Sequence, residues 1–229
     1  MPAEKFHRTV RSFVRREGRI TRSQKRALAE LWQRYSISAD DCALDYKTVF
    51  ARKAPVVFEI GFGNGRSLAE MATAHPEQDY IGVDVHRPGA GSLLLQLENQ
   101  AIENVRVMCE DAVQVLTCRI PEDSLQAVYL FFPDPWPKKR HHKRRILQPE
   151  FVQLVRKRLK INGLFHMATD WRDYAGHMME VMSQAEGFEN TAGEGVYAER
   201  PDYRPVTKFE LRGRNLGHGV WDLVFCRTS

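Results

Sequence analysis

From Pro55 onward the sequence alternates short apolar runs with stretches of helical periodicity, and this alternation constrains the fold more than any other feature. VVFEIG precedes a helical stretch over residues 67–74, YIGVDV precedes one over 92–102, and VRVMCED and LQAVYLFF follow. Strand, helix and strand in succession imply right-handed crossovers and a parallel sheet, because each helix carries the chain back to start the next strand in the same direction. A helix opened by Pro149 and closed near Asn162 and Gly163, the run LFHMATD, and a helix over 172–185 continue the series. VTKFELRG and VWDLVFCR flank residues 215–219 and read as an antiparallel hairpin finishing the sheet. The expected architecture is α/β and Rossmann-like: a mostly parallel, seven-stranded sheet with helices on both faces and a C-terminal antiparallel hairpin. It occupies residues 53–229. Residues 1–52 form a basic arm and a short helix, with Thr21 and Gln24 at capping-box spacing and Leu28, Leu31, Trp32 and Tyr35 along one face.

Charge is segregated along the chain. Residues 1–34 carry a net charge of +7 and residues 138–145 another +6, whereas the whole chain is only +5, so the rest sums to −8. Two cationic blocks on an acidic body favour an extended anionic partner; a solubilising tail is the alternative for the first block. No apolar run approaches the roughly 20 residues that cross a bilayer, and the Arg-rich start has no apolar signal core, so a cytoplasmic protein without a membrane partner is expected. Cys42, Cys109, Cys118 and Cys226 show no zinc-type spacing, and no metal is expected.

The first strand ends in Glu59-Ile60-Gly61-Phe62-Gly63-Asn64-Gly65, where a doubly wound fold brings backbone against a nucleotide. Strand two ends in Asp84, placed to accept hydrogen bonds from ribose hydroxyls, and strand three ends in Asp111. Dinucleotide folds favour GxGxxG, whereas this loop reads GxGxG with Arg66 in the later place, which disfavours NAD. S-adenosyl-L-methionine has no phosphate and carries a sulfonium cation, so it suits a pocket rimmed by Glu59, Asp84 and Asp111.

Strand four runs into FFPDPWPKKRHHKRR. Asp134 and Trp136 sit between prolines, whose fixed φ leaves this corner few conformations to lose, and six Lys or Arg with two His follow in eight residues. Such a strip neutralises successive phosphates without reading sequence. Asp134 either holds a base or orients the donor. Asp170 and Trp171 end strand five at the same edge; Thr207-Lys208-Phe209-Glu210 is either a half-buried strand or a base-binding wall, and His218 and Trp221 read as packing residues.

RSFVRREGRIT, EIGFGNG, DVHRPG, FFPDPWPKKRHHKRR, HMATDW and RPVTKFELRGRNLGHGVWDLVF together resemble the bacterial tRNA (guanine-N7)-methyltransferases over nearly the whole chain. The resemblance implies the class I methyltransferase fold and methyl transfer from S-adenosyl-L-methionine to N7 of the variable-loop guanine of tRNA, leaving S-adenosyl-L-homocysteine. It implies Asp134 as catalytic; Glu59, Gly61, Gly63, Asp84, Asp111 and Asp134 as cofactor-binding; and Lys138, Asp170, Thr207, Lys208, Phe209 and Glu210 as substrate-binding. It also implies Arg140, His141, His142, Lys143, Arg144 and Arg145 as RNA contacts. The partner is tRNA, with no obligate protein partner; a monomer is expected, a homodimer being the alternative. Asp84 stands where many members carry Glu, and Pro137 where many carry His. A non-catalytic RNA-binding protein on the same fold is the competing reading.

Overall fold

The computed structural model describes residues 12–13, 18–37, 43–207, 210 and 219–229. Cys42, Lys208, Phe209, His218, most of the basic arm and all but Gly219 of the turn expected at 215–219 lie outside the described residues. Two short helices, α1 (Arg22–Glu30) and α2 (Trp32–Tyr35), lead to α3 (Tyr46–Phe50). The alternating region follows as β1 (Val56–Ile60), α4 (Arg66–Ala74), β2 (Asp79–Val83), α5 (Arg87–Asn99), β3 (Val105–Met108), α6 (Ala112–Cys118) and β4 (Leu125–Phe131). After a 3₁₀ helix over Lys139–Arg144 come α7 (Pro149–Arg158), β5 (Leu159–Thr169), α8 (Arg172–Ser183), β6 (Phe188–Asn190) and β7 (Trp221–Arg227).

The seven strands form one sheet in the order β3-β2-β1-β4-β5-β7-β6. Pairings from β3 through β5 are parallel, and β7 runs antiparallel to both β5 and β6. Two expectations need correcting. The outer partner of β7 is Phe188–Asn190, while Val206 and Thr207 lie in no strand and Glu210 is helical. In addition, α7 stops at Arg158, because Leu159 already pairs with Leu125; Asn162, at φ 64°, and Gly163 fall within β5 beside a register shift in β4.

Burial on both faces explains the nearly continuous apolar strands. Val56, Phe58 and Ile60 pack with Leu116, Phe151, Val155 and Met178 on one face. Val57 points the other way, onto Leu68, Met71, Leu93 and Leu97. Glu59 shares that second face by the two-residue period of a strand. The capping box at Thr21 and Gln24 is formed, and α1 lies against α5, where Gln24 Nε2 donates to Ser92 Oγ at 2.8 Å. The chain after α2 then covers the outer edge of the sheet, bridging Ser36 to Val107.

One close approach fixes the start of α5 against the glycine loop. A Cβ on Gly89 would lie 2.0 Å from the carbonyl oxygen of Gly63, a backbone atom that has no room to yield. Gly89→Ala should therefore cost about 2 kcal/mol, lowering Tm by about 4–8 °C in thermal unfolding.

Candidate active site

All parallel strands point their carboxyl ends at one edge, and the chain winds outward from β1 through β2 on one side and β4 on the other. A crevice opens at this reversal, as in other doubly wound sheets. It holds a cavity of about 390 Å³, within the usual range for small-ligand sites, lined by Ile60, Gly61, Asp84, Asp111, Phe131 and Asp134 among others. Gly61, Gly63 and Gly65 all have positive φ, the region that L side chains rarely enter, and Gly65 opens α4.

The acids at this edge have different environments. Asp84 is tied to the glycine loop: Oδ2 accepts the N–H of Gly63 and Oδ1 that of His86, each at 2.9 Å. Burial raises its pKa, against the lowering effect of these backbone donors. Each oxygen retains lone-pair capacity for a further donor such as a ribose hydroxyl. Asp111 caps α6, accepting the N–H of Val113 at 3.0 Å, and faces the cavity. Asp134 is exposed at the rim.

Glu59 sits lower, in the middle of the sheet opposite Gly82 and Tyr129, and does not line the cavity. It is 3% exposed, and its Oε2 has no hydrogen-bond partner among the described residues. Burial, and then the neighbouring Asp84 carboxylate, push its pKa up to about 8.

The proline corner is braced from several sides. Phe132 turns with φ 51° and Trp136 with φ 45°. The Trp136 indole donates to the backbone oxygen of Ser12 at 3.1 Å and lies under the Arg144 guanidinium, 4.3 Å from the ring centre. Ser12 and Phe13 also line the cavity, so the arm reaches the crevice, a contact with no local sequence signal. Lys138, Lys139, Arg140 and Lys143 are exposed. His141 stacks edge-on to Trp136, and burial and then the surrounding cations lower its pKa.

Arg145 departs from its expected place in an outward strip. It is 3% exposed, ion-paired with Asp173, donates Nε to the carbonyl of Pro135 at 3.0 Å and covers the Tyr174 ring. The hydrogen bond that Arg145 Nη2 donates to Asp173 Oδ2 is the main cause holding the Asp173 carboxyl below its usual pKa. Arg145 thus fastens the corner to α8, while Lys138, Lys139, Arg140 and Lys143 face outward.

Asp170 and Trp171 follow directly on β5, at the expected edge, but they line a second, open groove of about 1280 Å³ shared with His142 and Arg172. Thr207 Oγ1 accepts the N–H of Glu210 at 3.0 Å. Glu210 is buried and ion-paired to Arg204, which in turn pairs with Asp222. This cluster was missed at the sequence level, although His166 and Asp222, lone polar residues within apolar strand runs, carried a signal for it.

Comparison with known proteins settles the family. The family model described as "Putative methyltransferase" matches residues 53–223. The tRNA (guanine-N(7)-)-methyltransferase of Hydrogenovibrio crunogenus is 57% identical over 220 residues, spanning 96% of this chain and 92% of its own. The chain belongs to the tRNA (guanine-N7)-methyltransferase family. Among solved structures, this family member resembles the 16S rRNA methyltransferase KamB, with a TM-score of 0.60 at 14% identity over 80% of this chain and 93% of that one. It also resembles a SAM-dependent methyltransferase from Aquifex aeolicus, with a TM-score of 0.53 at 10% identity over 80% and 88%. These distant likenesses bear out the class I methyltransferase architecture.

The raised Glu59 pKa has a measurable consequence. Between the unfolded value near 4.5 and the folded value of about 8, the native state binds the extra proton, so this group's stabilising contribution is lost as pH rises through 8. Glu59→Gln should leave Tm nearly unchanged at pH 5 and raise it at pH 9, with a gain in stability of at most about 5 kcal/mol. Thermal melts at the two pH values check this.

Proposed function

We propose that this protein transfers a methyl group from S-adenosyl-L-methionine to N7 of the variable-loop guanine of tRNA, giving 7-methylguanosine and S-adenosyl-L-homocysteine. The observation that carries the reading is the meeting of two surfaces at one short turn. Asp84, Asp111 and Asp134 surround a single cavity, and the chain leaves Asp134 directly into the exposed cations of the 3₁₀ helix. The non-catalytic alternative leaves the first of these surfaces without a role.

The residues at the cavity fit the donor. Asp84 would hold the ribose hydroxyls, Asp111 the adenosine end, and Gly61 and Gly63 leave the backbone free of side chains beside it. Glu59 lies beneath this rim, buried and held protonated by its raised pKa, so the charge facing the donor comes from Asp84, Asp111 and Asp134. S-adenosyl-L-methionine supplies a methyl group already activated on a sulfonium, and it needs no metal for that.

The acceptor sets what the protein must do. Guanine N7 has an in-plane lone pair and no proton, so its attack on the methyl carbon calls for alignment and charge compensation rather than a general base. Asp134 takes the role of positioner: its exposed carboxylate would accept from the donors on the Watson–Crick edge of the base. Lys138, Arg140, His141, His142, Lys143 and Arg144 would contact the RNA backbone, and Asp170, Thr207, Lys208 and Phe209 would complete the substrate side, with the buried Glu210, engaged by Arg204, in a supporting role. A single chain carries both surfaces, so the reading requires no protein partner, and a cytoplasmic site of action, where tRNA is met, accords with it.

Incubation with labelled S-adenosyl-L-methionine and unmodified tRNA should place the label on a variable-loop guanine; a pool left unlabelled would refute the assignment. Asp134→Ala should lower kcat by about 100-fold or more while tRNA affinity stays within about threefold. Equal loss of both would make Asp134 a binding residue.

A further inference from the structure

The largest fully buried side chain among the described residues is a charged one, Arg204. Its guanidinium holds two carboxylates at once. Nε and Nη2 donate to Asp222 at 2.6 and 2.8 Å, while Nη1 and Nη2 donate to Glu210 at 2.8 and 3.4 Å. Asp222 Oδ1 also lies 2.7 Å from His166 Nε2, and His166 Nδ1 lies 3.0 Å from the Tyr203 hydroxyl. A neutral His166 satisfies every contact: Nε2–H donates to Asp222 and Nδ1 accepts from Tyr203. Burial, its largest influence, lowers the His166 pKa and favours that state.

Stability is a poor explanation for such a cluster, since apolar side chains of similar volume usually hold a core as well or better. Its location suggests another role. The Arg204 guanidinium carbon lies 6.0 Å from the ring centre of Phe131 and 5.6 Å from that of Phe132. Both phenylalanines line the donor cavity, and Phe132 is the turn residue that leads through Pro133 to Asp134. On its other side Arg204 grips Glu210, whose N–H is capped by Thr207. Asp222 anchors the arrangement to β7, and His166 to β5. One side chain thereby connects Glu210, and through its N–H Thr207, to the turn that presents Asp134. The acids that face the donor from β2 and β3, Asp84 and Asp111, are not part of this cluster.

We propose that Arg204 is a positioning residue for base methylation: by pinning Glu210 to Asp222 beneath the Phe131–Phe132 turn, it sets Thr207 and Glu210 relative to the Asp134 corner. The proposal rests on the methyl-transfer reading for its readout. Lysine in its place keeps the charge, but a single ammonium cannot reproduce the fork that spans both carboxylates.

The test measures Arg204→Lys against wild type for four quantities: donor affinity by calorimetry, tRNA affinity, and KM and kcat for labelled methyl transfer. Expected are donor affinity within about twofold, tRNA affinity and KM within about threefold, and kcat lower by at least about tenfold. A wild-type kcat, or parallel loss of donor and tRNA affinity, overturns the proposal. Glu210→Gln, which keeps side-chain shape, gives an independent arm. Its kcat loss should not add to that of Arg204→Lys in the double variant, whereas additive losses mean separate roles and overturn it. Failure of both single variants to fold assigns the cluster to stability alone and likewise overturns it. Wild-type protein that labels no tRNA would instead refute the methyl-transfer reading, so the two failures are distinguishable.

Discussion

The parallel pairing of β1 with β2 on one side and β4 on the other is the constraint on which the rest of this structure depends. Because the chain winds away from β1 in both directions, the loops after these strands diverge and leave a crevice at the carboxyl edge. The loop after β1 is backbone-lined, the one after β2 carries Asp84, and the one after β4 carries Asp134. The Gly63 N–H donating to Asp84 joins the first two, so the acid at the end of β2 is tied to the glycine loop. The third is held independently, by Arg145 and Arg204 from beneath and by the N-terminal arm through Trp136.

This division matches the two electrostatic demands of the reaction. A cationic methyl donor is favoured by a crevice rimmed with carboxylates, and Asp84, Asp111 and Asp134 all line it. A polyanionic acceptor calls for cations in solvent, where they can reach phosphates and release counterions. The proline corner separates these environments by only a few residues. Its positive φ angles at Phe132 and Trp136 are strain that the surrounding contacts must hold in place, which accounts for the density of bracing there.

The sheet was largely legible in the sequence because buried parallel strands and their crossover helices impose different periodicities, and the glycine loop with its following acid marked the crevice. Asp84, Asp111 and Asp134 were readable as cavity acids since strand ends in such a fold share one edge. What failed depended on long-range partners. Arg145 looked like its cationic neighbours in a linear run, but Asp173, 28 residues away, draws it inward. The run from Val206 has strand-like alternation, yet the edge beside β7 is taken by Phe188–Asn190. The Arg204 cluster assembles residues from β5, β7 and the segment between β6 and β7, and periodicity cannot show such a meeting.

The central claim is that an acidic donor pocket and a cationic RNA surface are separate devices joined at the Asp134 corner. Calorimetric titration of S-adenosyl-L-methionine and of tRNA across a salt series tests it most directly. The account predicts that tRNA affinity falls by at least about 100-fold between 50 and 200 mM salt while donor affinity changes by less than about twofold. Donor and tRNA affinities that fall together with salt would contradict it.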